Sequence, residues 1–185
     1  RQGMDRNEII ISSKLPNGGS LTKVLEELSQ SGFISAYHPY GKKKKTKLFR
    51  LTDEYSLFYL KFIEARKNEG PAIWQHLSQT QEYKVWSGYA YESICIKHLP
   101  QIKKALSIAG LYSVSSSFLK KGNKTEKGTQ IDLVLDRNDQ IINLFEIKFY
   151  NKQFTLSKEY AKKLKEKMDI FEEASKTRKH LFLTL

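Results

Sequence analysis

Cysteine occurs once in this chain, at Cys95, so no internal disulfide can form and folding rests on packing and hydrogen bonds. A reducing compartment is expected, with Cys95 as a buried thiol in a periodic apolar stretch. Only 4 prolines and 10 glycines among 185 residues exclude collagen-like and proline-rich low-complexity architectures. No run approaches the roughly 18 consecutive apolar residues of a membrane-spanning helix, and no secretory signal opens the sequence. A cytoplasmic protein without membrane association is expected. The four histidines, His38, His76, His98 and His180, share no ligand spacing, so no zinc site is expected. Acidic side chains are the scarcer charge, 20 against 32 Lys and Arg, and the net charge of +12 points to a polyanionic partner, with nucleic acid ahead of a membrane surface.

What is present is a globular composition, 39% hydrophobic and 12% aromatic, in two differently patterned halves. Asn68-Glu69-Gly70-Pro71 combines a helix-stopping glycine with a proline and predicts a boundary, giving domains at 1–70 and 71–185. Charges are shared at +5 and +7, so neither half is a charged tail. In the first half, residues 7–14 predict a short helix. Ser20 is expected to cap a second, with Leu21, Val24, Leu25 and Leu28 on one face and its end at Gly32. Strands are expected over 34–40 and 47–51, flanking the lysine run Lys42 to Lys45, and Asp53 is expected to cap an aromatic-faced helix. Helix, turn, helix and basic hairpin read as a winged helix-turn-helix.

The second half predicts the order α, β, β, β, α, β. A helix over 84–99 carries Val85, Tyr89, Glu92, Ile96 and Leu99 on one stripe, and Pro100 allows a fresh helical start. Strands follow over 112–119, 131–136 and 141–149, the last two joined at Asn138-Asp139. Ser157 caps a long helix bearing Tyr160, Leu164, Met168 and Phe171, and residues 180–185 close as a strand. The fold class expected overall is α/β with a mixed central sheet.

Side chains two apart on a strand share a face, so Glu146 and Lys148 are neighbours, and alternation pairs Asp132 with Val134 and Asp136 against Ile131, Leu133 and Leu135. Carboxylates on adjacent strands suit Mg²⁺ or Mn²⁺, hard cations that take oxygen ligands and leave positions for water and phosphate. A lysine beside them can orient or deprotonate the water and offset phosphate charge. Lys42, Lys43, Lys44, Lys45 and Lys47 read either as a solvated loop tip or as a wing contacting phosphate, a contact also assigned to Lys23 on the second helix, where Glu26 and Glu27 argue against base reading. Tyr37 and Tyr40 stand beside these lysines, placed either to stack on bases or to pack across the hairpin.

Through Gln130-Ile131-Asp132 and Glu146-Ile147-Lys148, with the helix carrying Glu92 before them, residues 84–185 resemble the PD-(D/E)XK nuclease superfamily, the restriction-endonuclease-like fold. Ile131 stands where the family has proline. The resemblance implies Asp132, Glu146 and Glu92 as metal ligands and Lys148 as the catalytic lysine in DNA cleavage. The chain as a whole resembles the C-terminal region of a prokaryotic family of P-loop ATPases, a winged helix followed by a nuclease-like domain. The residues behind this are Ser31-Gly32-Phe33-Ile34, Phe49-Arg50-Leu51-Thr52-Asp53 with Phe58, residues 86–92 and the two acidic motifs. An ATPase domain upstream or in trans is implied. ATP binding by this chain is not expected, since it has no GxxxxGK[ST] loop. Three classes of function fit these residues: a Mg²⁺-dependent DNA nuclease, a catalytically silent nuclease-fold module that binds a partner or regulates an ATPase, and a winged-helix DNA-binding regulator.

Overall fold

The computed structural model describes residues 3–42, 46–66, 70, 72–123 and 125–185, a mixed α/β chain with helices and two sheets. It divides into two compact units, Arg1–Tyr37 with Thr46–Ile94, and His38–Lys45 with Cys95–Leu185.

In the first unit, α1 (Arg6–Ser13) begins with a capping box in which the Asp5 carboxylate accepts from the Glu8 amide and Glu8 accepts from the Asp5 amide. Helix α2 (Gly19–Gln30) buries Leu21 and Leu25. Its cap differs from expectation: Gly18 is the N-cap, with no side-chain bond, and Ser20 lies inside the helix. Gly32 follows the helix at φ +77, the left-handed conformation that glycine adopts without a Cβ clash. Strands β1 (Ile34–Tyr37) and β2 (Leu48–Leu51) pair antiparallel, Ile34 opposite Leu51. Asp53 caps α3 (Glu54–Phe58), which continues as a π segment over Tyr59–Ile63.

The division of the chain falls at Ile94/Cys95 rather than at 68–71, of which Asn68, Glu69 and Pro71 lie outside the described residues. Aromatic packing explains the difference. Phe58 meets Trp74 of α4 (Ile73–Leu77) at 5.4 Å and Trp86 of α5 (Gln81–Lys97) at 5.2 Å, and Tyr83 stacks on Trp86 at 5.4 Å. Rings at these spacings contribute about 0.5–1.5 kcal/mol per pair beyond the area they bury, which ties α4 and most of α5 to the first unit. The buried residues of α5 are Ser87, Ala90, Glu92 and Ser93, so of the expected stripe Glu92 is buried while Val85 is exposed.

The second unit begins with α6 (Leu99–Ala105), which starts with Pro100 in its first turn. A four-stranded sheet follows in the order β3 (Ser113–Lys120), β4 (Thr129–Arg137), β5 (Ile141–Phe145), β6 (His180–Thr184). The first three are antiparallel. Strand β6 runs parallel to β5 because α7 (Lys158–Ser175), capped by Ser157, carries the chain back. One core cluster holds Phe118, Ile131, Val134, Ile142, Leu144 and Phe171 of α7; the other holds Ile108, Leu133, Leu135 and Phe145 with Leu99 and Ile102 of α6.

Two expectations about the strands are corrected. Between the pairs Ser116–Val134 and Phe118–Ile131, β3 advances two residues and β4 three, so Asp132 and Leu133 together oppose Ser117 in a β-bulge. Alternation reverses there, and Ile131 packs with Val134 instead of with Leu133 and Leu135. Strand β5 ends at Phe145, so Glu146 and Lys148 lie just beyond it. The first hairpin strand is also shorter than expected. Beyond Tyr37 the chain turns to β3, where the Tyr40 amide donates to the Ser117 carbonyl at 2.7 Å and the Tyr40 ring packs on Phe171 at 5.1 Å.

Phe171 is fully buried at the centre of this packing. Phe171→Ala is expected to destabilise the chain by about 3–5 kcal/mol, through lost transfer energy and the cavity left behind. A urea titration of the two proteins measures it as a lower midpoint at an unchanged slope.

Candidate functional site

The β4–β5 register sets the site. Leu133 is opposite Phe145, so the next residues outward on the two strands are Asp132 and Glu146. The Glu146 amide donates to the Thr184 carbonyl at 3.0 Å, extending the β5–β6 ladder by one residue. The Ile147 amide then goes to a side chain, the Asp132 carboxylate at 2.9 Å. The bulge thus places Asp132 against the chain segment that carries Glu146.

Glu146 is only 4% exposed, and its carboxylate is held on both oxygens. Oε1 faces Lys148 Nζ at 2.8 Å and accepts from the Tyr160 hydroxyl at 3.1 Å; Oε2 faces Lys167 Nζ at 2.6 Å. Burial pushes the Glu146 carboxyl up, but the two ammonium groups outweigh burial and hold it below the usual glutamate range. Lys148 shows the reverse balance: burial lowers it, and Glu146 raises it above an ordinary lysine, with a further upward contribution from Asp132. Tyr160 is raised by burial first and by the Glu146 charge second, so its phenol stays protonated near neutral pH and donates to the carboxylate.

An ammonium held above its ordinary value is a poor proton acceptor at neutral pH, and it stands beside Glu146 as a positive charge.

The structure therefore brings together Asp132, Glu146 and Lys148. It does not bring Glu92 into that group. Glu92 is buried in the first unit, where its Oε1 accepts from Arg50 Nη1 at 2.8 Å. This acid of α5 is answered there by a half-buried guanidinium. Sequence reasoning missed Tyr160 and Lys167. The apolar period places Tyr160 in the α7 core stripe, and Lys167, seven residues on, stands on the same helical face as Leu164 and Phe171. A lysine on an apolar face was the available signal.

Of the residues assigned to phosphate contact, Lys23 is exposed and pairs with Glu27 at 3.8 Å. Lys42 is exposed, and Lys47, also exposed, has its ammonium 5.3 Å from the Phe49 ring centre. Lys43, Lys44 and Lys45 lie outside the described residues. Neither tyrosine of the hairpin is a free stacking surface: Tyr40 packs on Phe171, and Tyr37 lies under the Arg50 guanidinium at 5.8 Å and accepts from the Gly3 amide at 3.1 Å.

Among the described residues no three His, Cys, Asp or Glu side chains are grouped to hold a metal ion. Two adjacent carboxylates nevertheless suit Mg²⁺, which keeps several waters and binds through one or two carboxylates plus substrate phosphate. Asp132 and Glu146 are the residues that would hold such an ion, and in this structure the positive charge beside Glu146 comes from Lys148 and Lys167. Compared with family models, with curated proteins and with solved structures, the chain gives no match.

The lowered Glu146 carboxyl contributes stability that is present above the ordinary glutamate value and lost as pH falls through the lowered one. Glu146→Gln is expected to cost about 1–2 kcal/mol at neutral pH, the lysine ends being partly solvated. The deficit should shrink on acidification below the ordinary glutamate range. Chemical denaturation of both proteins across this range checks it; a deficit constant with pH would mean that Glu146 is not held ionised by its lysines.

Proposed function

We propose that the chain acts on DNA through a restriction-endonuclease-like second unit, with Asp132, Glu146 and Lys148 as its phosphodiester-directed site. The observation that carries this reading is the meeting of the three side chains where the β4 bulge faces the end of β5, with Glu146 buried, ionised and paired with Lys148. A structural ion pair needs no third group. Here a second carboxylate arrives by way of a bulge, a second lysine and a tyrosine come from α7, and the chain carries a net charge of +12.

Asp132 and Glu146 would hold Mg²⁺ or Mn²⁺, which when bound supplies an activated water and offsets charge on phosphate oxygens. The protein's own groups do the rest. Lys148 places a fixed positive charge beside the scissile phosphate, Tyr160 and Lys167 keep Glu146 oriented and ionised, and the Ile147 amide fixes Asp132. The first unit is read as a winged helix, two helices and a hairpin; Lys47, together with Lys42 to Lys45 in the sequence between the two hairpin strands, would add sequence-independent phosphate contact. The likeness to ATPase C-terminal regions supports work alongside an ATPase domain, on the same polypeptide or in trans.

A second reading is favoured by a specific observation. Both Glu146 oxygens are already answered by ammonium groups and Glu92 is committed to Arg50, which suits a catalytically silent module that binds DNA or a partner.

Cleavage assays on plasmid, linear and branched DNA with Mg²⁺ or Mn²⁺, beside calorimetric Mn²⁺ titration, separate the two. Lys148→Ala is expected to lower the rate about 10²- to 10³-fold while keeping metal affinity, as loss of an electrostatic stabiliser does. Asp132→Ala is expected to lose both. A wild type that binds no divalent ion at millimolar concentration and cuts no form of DNA would reject the nuclease and leave the silent module. In the same preparation, DNA affinity is expected to fall steeply with salt, and replacing Lys42 to Lys45 with alanine to reduce the log-log slope by about 0.9 for each phosphate no longer neutralised.

A further inference from the structure

Residues 146–157, joining β5 to α7, have no regular secondary structure and carry four large apolar side chains that the core does not take up. Phe149, Tyr150, Phe154 and Leu156 are all exposed, Tyr150 at 63%. Both core clusters of the unit are filled without them. Exposed rings grouped on one short segment mark a contact surface.

The rings also have an order. Tyr150 meets Phe154 at 5.7 Å and 81°, and Phe154 meets Tyr160 at 5.9 Å and 76°. The Tyr160 hydroxyl donates to Glu146 at 3.1 Å. Three aromatic side chains therefore lead, ring to ring, from solvent to the carboxylate of the candidate site. Between residues 147 and 163 the chain carries five lysines, Lys148, Lys152, Lys158, Lys162 and Lys163, against one acid, Glu159.

Aromatic rings interleaved with cations suit a strand whose bases are available for stacking and whose phosphates need neutralising. Duplex DNA keeps its bases stacked on one another and offers this segment phosphates alone. We propose that Tyr150 and Phe154, with Lys152 and Lys158, form a binding site for the unpaired nucleotides of single-stranded DNA, next to the Asp132–Glu146–Lys148 group. This rests on the reading of that group as phosphodiester-directed and deepens it: the substrate class is DNA with a single-stranded segment.

Fluorescence anisotropy in EDTA, with labelled oligo(dT) and a duplex of equal length, tests the proposal without cleavage. Wild type is expected to prefer oligo(dT). Tyr150→Ala and Phe154→Ala should each weaken oligo(dT) binding about fivefold or more while leaving duplex binding nearly unchanged, and Tyr150→Phe should retain it. Tyr150 is largely exposed, so its replacement leaves the core intact, and circular dichroism melting verifies that the variants fold. Equal loss on both DNA forms, or no loss on either, overturns the proposal. So does loss of binding to anionic phosphatidylglycerol vesicles with oligo(dT) affinity unchanged, which would make the segment an interfacial membrane contact. A chain that cleaves nothing with Mg²⁺ yet shows the aromatic-dependent preference refutes nuclease activity and leaves the single-strand site standing. A chain that cleaves but whose aromatic variants bind oligo(dT) normally refutes the site alone.

Discussion

The Glu146 carboxylate is buried, and burial of an ion is the costliest thing this small domain does. Left alone, the group would take up a proton or force its segment outward, since an unpaired buried charge costs several kcal/mol. Two lysines and a phenol prevent that, one lysine from the segment just past β5 and the other two groups from α7. The carboxylate thereby pins α7 to the end of the sheet. Leu164 and Phe171, on the same side of the helix, complete the attachment by burial. The apolar contacts supply most of the energy, and the ionic group gives the helix a definite register against β5, because lysine and tyrosine ends must arrive within hydrogen-bond distance of two particular oxygens.

The bulge in β4 belongs to the same construction. With one extra residue against Ser117, the chain presents both Asp132 and Leu133 where a regular strand would present one side chain. Leu133 goes to the cluster shared with α6, and Asp132 receives the Ile147 amide. A polar group is thus brought to the edge of a core without breaking it, at the cost of one irregular ladder position. Bulge, strand end and buried ion coincide at one place, and such a coincidence of local irregularities is the usual physical mark of a site rather than of a scaffold.

The first unit is held differently. Leu21, Leu25, Phe62, Leu77 and Ala90 are its buried apolar residues, aromatic rings of α3, α4 and α5 pack against one another, and a part-buried ion pair, Arg50 with Glu92, joins β2 to α5. The pair is incomplete: Arg50 Nε is buried without a hydrogen-bond partner among the described residues. A pair under that burden sets which surfaces meet more than it adds to stability.

Much of this was legible in the amino-acid order, because its causes are local. Apolar period, the Asp53 and Ser157 caps, and the Asn138-Asp139 turn each depend on residues within a few positions, and they placed most of the elements to within a few residues. The nearness of Glu146 to Lys148 was legible for the same reason. What tertiary structure alone decided depends on residues far apart in the chain. The extra residue in β4 is defined only against β3, so the exchange of faces at Ile131 has no signature in β4 itself. Glu92 looked like a member of the acidic group until Arg50, 42 residues away, met it. Lys167, on the same helical face as Leu164 and Phe171, drew no reading from the sequence, because the partner of its charge, Glu146, lies 21 residues away. Periodicity tells which side chains face inward; which charge meets which inside is settled by the long-range pairing that burial demands.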